Sequence, residues 1–230
     1  MDTKPPRKST GREIVERAAE AGLSAVPIVG GALAVAFVAA VSHSLDKRRE
    51  EWLTGLAEHV EQLRQRRGDL NLETLADNDL FVDAVVTATR VIEHTHQEDK
   101  ISALRNAVLN SVAPDAPDAD TQAIILNLVD RYTVSHLRLL TLWNDPPAWF
   151  ARQGLAPPQA AMAGSRTQTV EAGLPEMKGR KEFYLRIASD LAAAGVLTAS
   201  LSGNVSASAL MDRLTTGFGR QFVEFISPPA

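Results

Sequence analysis

Hydrophobic positions along the chain recur mostly at the spacing of amphipathic helices. The pattern is interrupted by one long uncharged stretch near the start and one proline-rich segment after the middle. The uncharged stretch, 21–45, reads AGLSAVPIVGGALAVAFVAAVSHSL. A helix that crosses a bilayer needs about 20 apolar residues at ~1.5 Å each. The whole stretch has that length, but Pro27 interrupts it, and the strongly apolar part, 28–41, falls short. Gly30 and Ala34, then Ala32, Ala36 and Ala40, form small-residue rows that let helix backbones approach closely, in lipid or in a bundle. Three readings follow: a buried hairpin helix of a soluble bundle, a segment that transfers to lipid when exposed, or a single membrane span. The residues that would carry packing or insertion are Pro27, Gly30, Gly31, Ala34, Val35, Phe37 and Val38. Lys47, Arg48 and Arg49 follow directly, where a membrane segment carries its cytoplasmic flank. The expected element is a Pro-interrupted helical hairpin over 21–41. It packs on the helical middle at rest and is able to move to lipid.

The remaining pattern predicts further helices. Thr10 and Glu13 form a capping box that starts a first helix, which Pro27 ends or kinks. A second helix runs from about Ile28 past Arg64, its later half amphipathic through Leu45, Trp52, Leu53, Leu56, Val60 and Leu63, with Gly68 and Asp69 as its stop. Asn78 or Asp79 caps a third, and Thr95 with Glu98 caps a fourth. A fifth, central helix spans about 121–143, and Asn144, Asp145, Pro146 and Pro147 end it. The segment 148–180 reads as a Pro/Gly-rich linker with a short turn at Trp149 and Phe150. A helix over 182–194 follows, with Gly195 as its C-cap, then a strand at 196–201 and a turn at Ser202, Gly203 and Asn204. A strand or short helix at 210–215 and a closing helix over 217–226 complete the chain. Phe183, Phe218, Phe222 and Phe225 suggest a small core for that end alone.

The fold class expected is mainly α: a helical bundle of about five helices with a small winged-helix-like α+β C-terminal domain. The domain division is 1–20 (basic tail and start of the first helix), 21–147 (bundle), 148–180 (linker) and 181–230 (winged-helix-like domain).

Composition narrows the chemistry. The chain has 230 residues, 45% of them hydrophobic, enough for a sizeable core. Its net charge of −4 gives no global nucleic-acid signature. Cysteine is absent, which excludes disulfides, thiolate metal sites and cysteine nucleophiles and fits a reducing cytoplasm. Glu13, Glu16 and Glu20 argue against a signal peptide. His94 and His96, beside Glu93, Glu98 and Asp99, are two apart and do not share a helix face, so a solvated connection is expected there rather than a metal site. His136 reads as a satisfied histidine of the central helix. No nucleophile elbow, P-loop or zinc-protease helix is present, so no enzyme, cofactor, metal or small-molecule substrate is expected.

Two resemblances add to this. The run from helix through DLAAAGVL to LTTGFGRQFVEFI resembles the second half of a winged helix-turn-helix domain. Leu191, Gly195 and Leu197 match the exit from its recognition helix, and Leu214, Thr215 and Gly219 match the exit from its wing. DNA binding is nevertheless not expected, because from 176 to 230 Glu176, Glu182, Asp190, Asp212 and Glu224 nearly cancel Lys178, Arg180, Lys181, Arg186, Arg213 and Arg220. Through DLFVDAVVTATRVIEHTHQEDKISALRNAVLNSV, LVDRYTVSHLRLLTLWNDP and LTTGFGRQFVEFISPP, the chain also resembles bacterial helical proteins of the alpha abortive-infection type. That resemblance implies a role in phage defence or stress. The expected location, from the missing cysteines and the apolar stretch, is the cytoplasm with association to the inner membrane. The leading expectation is a non-enzymatic effector or interaction protein whose partner is a membrane surface, another protein or a second copy of itself. A soluble oligomeric scaffold with the apolar helix buried is the alternative, and a DNA-binding regulator the third.

Overall fold

The computed structural model describes residues 31–68, 71–160, 162–198 and 201–229, with side chains of 31–36 and of 72 left aside. Ten α-helices and one two-stranded sheet are present among them. The helices are α1 (Gly31–Arg67), α2 (Leu72–Ala76), α3 (Asp79–His94), α4 (Glu98–Asn110), α5 (Ala119–Arg131), α6 (Val134–Asn144), α7 (Pro146–Gln153), α8 (Arg166–Gly173), α9 (Lys181–Ala193) and α10 (Gly217–Ile226). Strands β1 (Ala163–Ser165) and β2 (Asn204–Ser206) pair antiparallel, Gly164 opposite Val205. The chain divides into two units, Met1–Glu51 and Trp52–Ala230. The expected class, mainly helical with a small α+β end, is the observed one.

Several helices begin where local chemistry predicts. The Asn78 carboxamide accepts from the Phe81 amide at 3.1 Å and starts α3. Gly68 (φ 68°) terminates α1, and Gly195 (φ 72°) follows the C-cap of α9. The α4 start differs from the expected capping box. Gln97 is the N-cap and its side chain makes no capping bond, while the Thr95 hydroxyl accepts from the Gln97 amide at 3.3 Å.

The expected single helix over 121–143 is two helices. Tyr132 and Thr133 are extended (ψ 140° and 164°) and separate α5 from α6. The physical cause lies thirty residues upstream. The buried Lys100 ammonium donates to the Asp130 carbonyl at 2.6 Å and the Tyr132 carbonyl at 3.0 Å. It thereby takes the carbonyls that a continuing helix would use, and its charge suits a helix C-terminus.

The expected linker over 148–180 is structured. Asp145 caps α7, with Pro146 and Pro147 in its first turn, where their missing N–H groups cost nothing. Trp149, Phe150, Val170, Leu174 and Met177 are buried, and the Trp149 indole donates to the Gly173 carbonyl at 2.8 Å. This segment supplies the helices and first strand that precede α9. Among the described residues of the strand expected at 196–201, one antiparallel bridge forms, Leu197 to Thr215. Asn204, expected in a turn, begins β2.

Among the described residues no separate C-terminal core forms. One continuous cluster runs from Trp52 to Ile226 and includes Leu104, Leu139, Leu140, Trp143 and Phe222. Helix α10 packs on α4 and α6, and Phe222 meets the Tyr132 ring edge-on at 6.3 Å. Phe183, expected inside, is 37% exposed and lies under the Arg180 guanidinium at 3.9 Å.

Candidate functional site

Within the unit Met1–Glu51, the described part of α1 carries the residues singled out for packing or insertion. Pro27 and Gly30 lie outside the described residues, as does the first half of the expected hairpin. Gly31 opens α1, and Ala34 and Val35 lie in its first turns. Phe37 is 68% exposed, Val41 43% and Leu45 38%; Val38 is half-buried. Positions four apart share a helix face, so Phe37, Val41 and Leu45 form one exposed apolar row. Residues 39–51 are all exposed. Of residues 37–45, all but Val38 are exposed. Among the described residues no helix is long and apolar enough to cross a membrane.

The basic triplet is exposed as well. Lys47 pairs with Glu51 at 3.6 Å, with both side chains 65% exposed. Such a pair contributes only a few tenths of a kcal/mol, about 0.3–0.5, to the helix. Asp46, Glu50 and Glu51 balance Lys47, Arg48 and Arg49 in formal charge. The row is thus apolar on one side and electrically neutral in sum.

The unit Trp52–Ala230 holds two features that the sequence pattern did not reveal. The first is an open groove of about 600 Å³, lined among others by Leu63, Asn110, Pro117, Asn144, Glu224 and Phe225. Helices α4, α6 and α10 end at it. Their last carbonyls are already engaged: Asn106 and Asn110 donate to Ile226, Phe225 and Ser227, and Arg213 donates to the Asn144 carbonyl at 2.6 Å. This leaves little unsatisfied backbone to attract a cation.

The second is a cluster at the α5–α6 break. His136 occupies the third position of α6, where Glu or Gln usually closes a capping box. Its Nδ1 accepts from the Thr133 amide at 3.3 Å and lies 2.8 Å from the Thr133 hydroxyl. Its ring stacks on Tyr132 at 4.8 Å with the planes 3° apart. Nε2 faces Asp190 of α9 at 3.7 Å, beyond hydrogen-bonding distance, and Asp190 is bonded to Arg186 at 3.0 Å. Hydroxyl, imidazole and carboxylate stand in a row, but the hydroxyl belongs to the helix cap. The sequence hint was the Thr-x-x-His spacing, which falls inside what the periodicity presents as one helix.

Comparison with family models, curated proteins and solved structures gives no match. Among the described residues no group of three or more His, Cys, Asp or Glu is placed to hold a metal ion; His94 and His96 are both exposed, one ending α3 and the other beyond it.

Proposed function

We propose that this chain is a non-enzymatic interaction protein that docks on a membrane surface through the exposed row Phe37, Val41 and Leu45. The observation that carries the reading is Phe37, an aromatic side chain 68% exposed on a helix that keeps two more apolar side chains on the same face. A helix of this kind lies in the headgroup region with its apolar face down rather than crossing the bilayer. Lys47, Arg48 and Arg49 follow at the polar end, where each basic group near an anionic surface contributes about 1 kcal/mol. The resemblance to abortive-infection-type proteins supports a setting in bacterial defence or stress. On this reading the working place is the cytoplasmic side of the inner membrane.

Self-association is the second reading, favoured by the charge balance of 46–51, which weakens electrostatic pull to lipid. DNA is not the partner on either reading. Arg186 is paired with Asp190, Arg213 is bonded to Asn144 and Arg180 lies over Phe183, so three of the six C-terminal basic groups are already engaged.

Flotation with vesicles containing phosphatidylserine tests the proposal. The wild type is expected to float, and Phe37→Ser with Val41→Ser is expected to stay at the bottom. A wild type that remains unbound but sediments as an oligomer, with the double variant monomeric, moves the row to self-association.

A further inference from the structure

We propose that His136 is an acid-sensitive joint that holds α6 to the α5–α6 break and to α9 while its ring is neutral, and loosens that junction when the ring takes a proton.

The geometry fixes the tautomer. The Thr133 amide can only donate, so Nδ1 must present its lone pair, and the ring proton sits on Nε2 facing Asp190. A proton added to Nδ1 would set two N–H groups against each other at the first turn of α6. The capping bond from the Thr133 amide would then be lost, and the Thr133 hydroxyl would have to turn and accept from the ring instead.

The surroundings decide whether a charged ring is compensated. From α9, Asp190 faces Nε2 at 3.7 Å, but it is bonded to Arg186, whose positive charge opposes a second cation. From the end of α5 come Arg131 and the Tyr132 phenol, and from α4 comes the Lys100 ammonium at the Tyr132 carbonyl. From α10, the Phe222 ring packs against Tyr132. With Asp190 already bonded to Arg186, and the Lys100 charge met by Asp130 rather than shared with the ring, an imidazolium is poorly served. Burial accordingly pushes the His136 imidazole below its usual value, and Asp190 offsets only part of this.

Release is also aided from the neighbouring ring. The Tyr132 hydroxyl is buried without a hydrogen-bond partner, a costly arrangement that opening to water would relieve. The unfolded chain takes up the histidine proton near pH 6.5, whereas the folded chain does so only at lower pH. Between those values the unfolded state binds more protons. Stability is therefore complete above about pH 6.5 and declines as pH falls.

The test combines a proton NMR titration of His136 with hydrogen exchange of the full chain, corrected for the intrinsic pH dependence of exchange. The ring is expected to titrate below the value of an unstructured histidine. Protection of the amides from Thr133 to Leu137 should fall several-fold between pH 7.5 and 5.5, the fall beginning near the titration of an unstructured histidine and levelling off only below the ring's own midpoint. His136→Gln, which keeps a capping side chain that does not titrate, should show constant protection over that range. His136 titrating at or above the unstructured value, or His136→Gln losing protection as the wild type does, would overturn the proposal. If His136→Gln does not fold, the wild type alone decides: protection that falls across the window between the unstructured value and the ring's own midpoint supports the joint, and protection that stays constant across it refutes it.

Discussion

The side-chain amide of Asn110 lies 2.9 Å from the Phe225 carbonyl oxygen and 2.8 Å from that of Ser227, so one residue of α4 closes the end of α10. Helix ends leave their last carbonyls without partners, and a side chain from a neighbouring helix is one of the few ways to serve them inside a protein. Asn110→Ala should destabilise the fold by about 1–3 kcal/mol, the usual cost of leaving such groups unserved. Asn110→Asp should cost more, because a carboxylate would face carbonyl oxygens. Urea midpoints of the two variants check both the size and the order.

Gly219 should not tolerate a methyl group. A Cβ there would sit 2.0 Å from the Val196 carbonyl oxygen, a backbone atom that cannot rotate away. Alanine normally stabilises a helix relative to glycine by about 1 kcal/mol. Here the sign should reverse, with a loss of about 3 kcal/mol or more as α10 is forced off the 196 segment. Thermal denaturation of Gly219→Ala against Gly55→Ala, a helical glycine with open space around it, isolates the contact.

Lys100→Met should cost about 2–3 kcal/mol. The methionine keeps the aliphatic stem packed but leaves the Asp130 and Tyr132 carbonyls without a donor. Burial also lowers the Lys100 pKa from its usual value, with Asp130 opposing the shift. Denaturant unfolding at neutral pH gives the loss. Hydrogen exchange should place it at the end of α5 rather than throughout the bundle.

The Trp52 indole donates to the Thr89 hydroxyl at 3.0 Å, and that hydroxyl donates to the Val85 carbonyl at 2.7 Å. Trp52→Phe and Thr89→Val should each be destabilising. Together they should cost less than their sum by about 0.5–1.5 kcal/mol, since the bond can be lost only once. A double-mutant cycle with urea as denaturant measures this coupling.

Replacing Phe37 and Val41 with serine should leave the thermal midpoint unchanged within about 0.5 kcal/mol of stability, because both side chains are exposed. A large loss would mean that the row packs on something in the folded chain and is not free for a surface.

Fluorescence anisotropy with a short duplex at physiological salt should show no binding at micromolar protein. Sub-micromolar affinity that disappears on Arg180→Glu with Lys181→Glu would reverse the reading of the C-terminal helices.

What could be read from the chain followed the range of the forces involved. Asn78, Gly68, Gly195 and the closing helix act within a few residues, and the pattern placed them. The break at Tyr132 and Thr133 could not be seen, because the ammonium that enforces it comes from Lys100 and the hydrophobic period continues across it. The 148–180 segment looked like linker because its prolines are conspicuous and its helices short. Their burial depends on partners such as the Gly173 carbonyl, twenty-four residues from Trp149. The β1–β2 pairing joins segments forty residues apart, beyond the reach of any local signal. At the candidate site the apolar stretch was legible from its composition, but the exposed row of Phe37, Val41 and Leu45 was not, because exposure depends on what the rest of the chain covers. The His136 cluster was not, because its other half comes from α9.

The seat of α10 against α4 sets an order of events during synthesis. Asn110 and the Phe225 carbonyl that it binds are 115 residues apart in the chain. At ordinary elongation rates the ribosome needs on the order of ten seconds to make that length. During this interval α4, and α6 once it is made, lack the cover that Phe222 and Phe225 later give them. The yield of folded protein should therefore depend on how quickly the final stretch emerges.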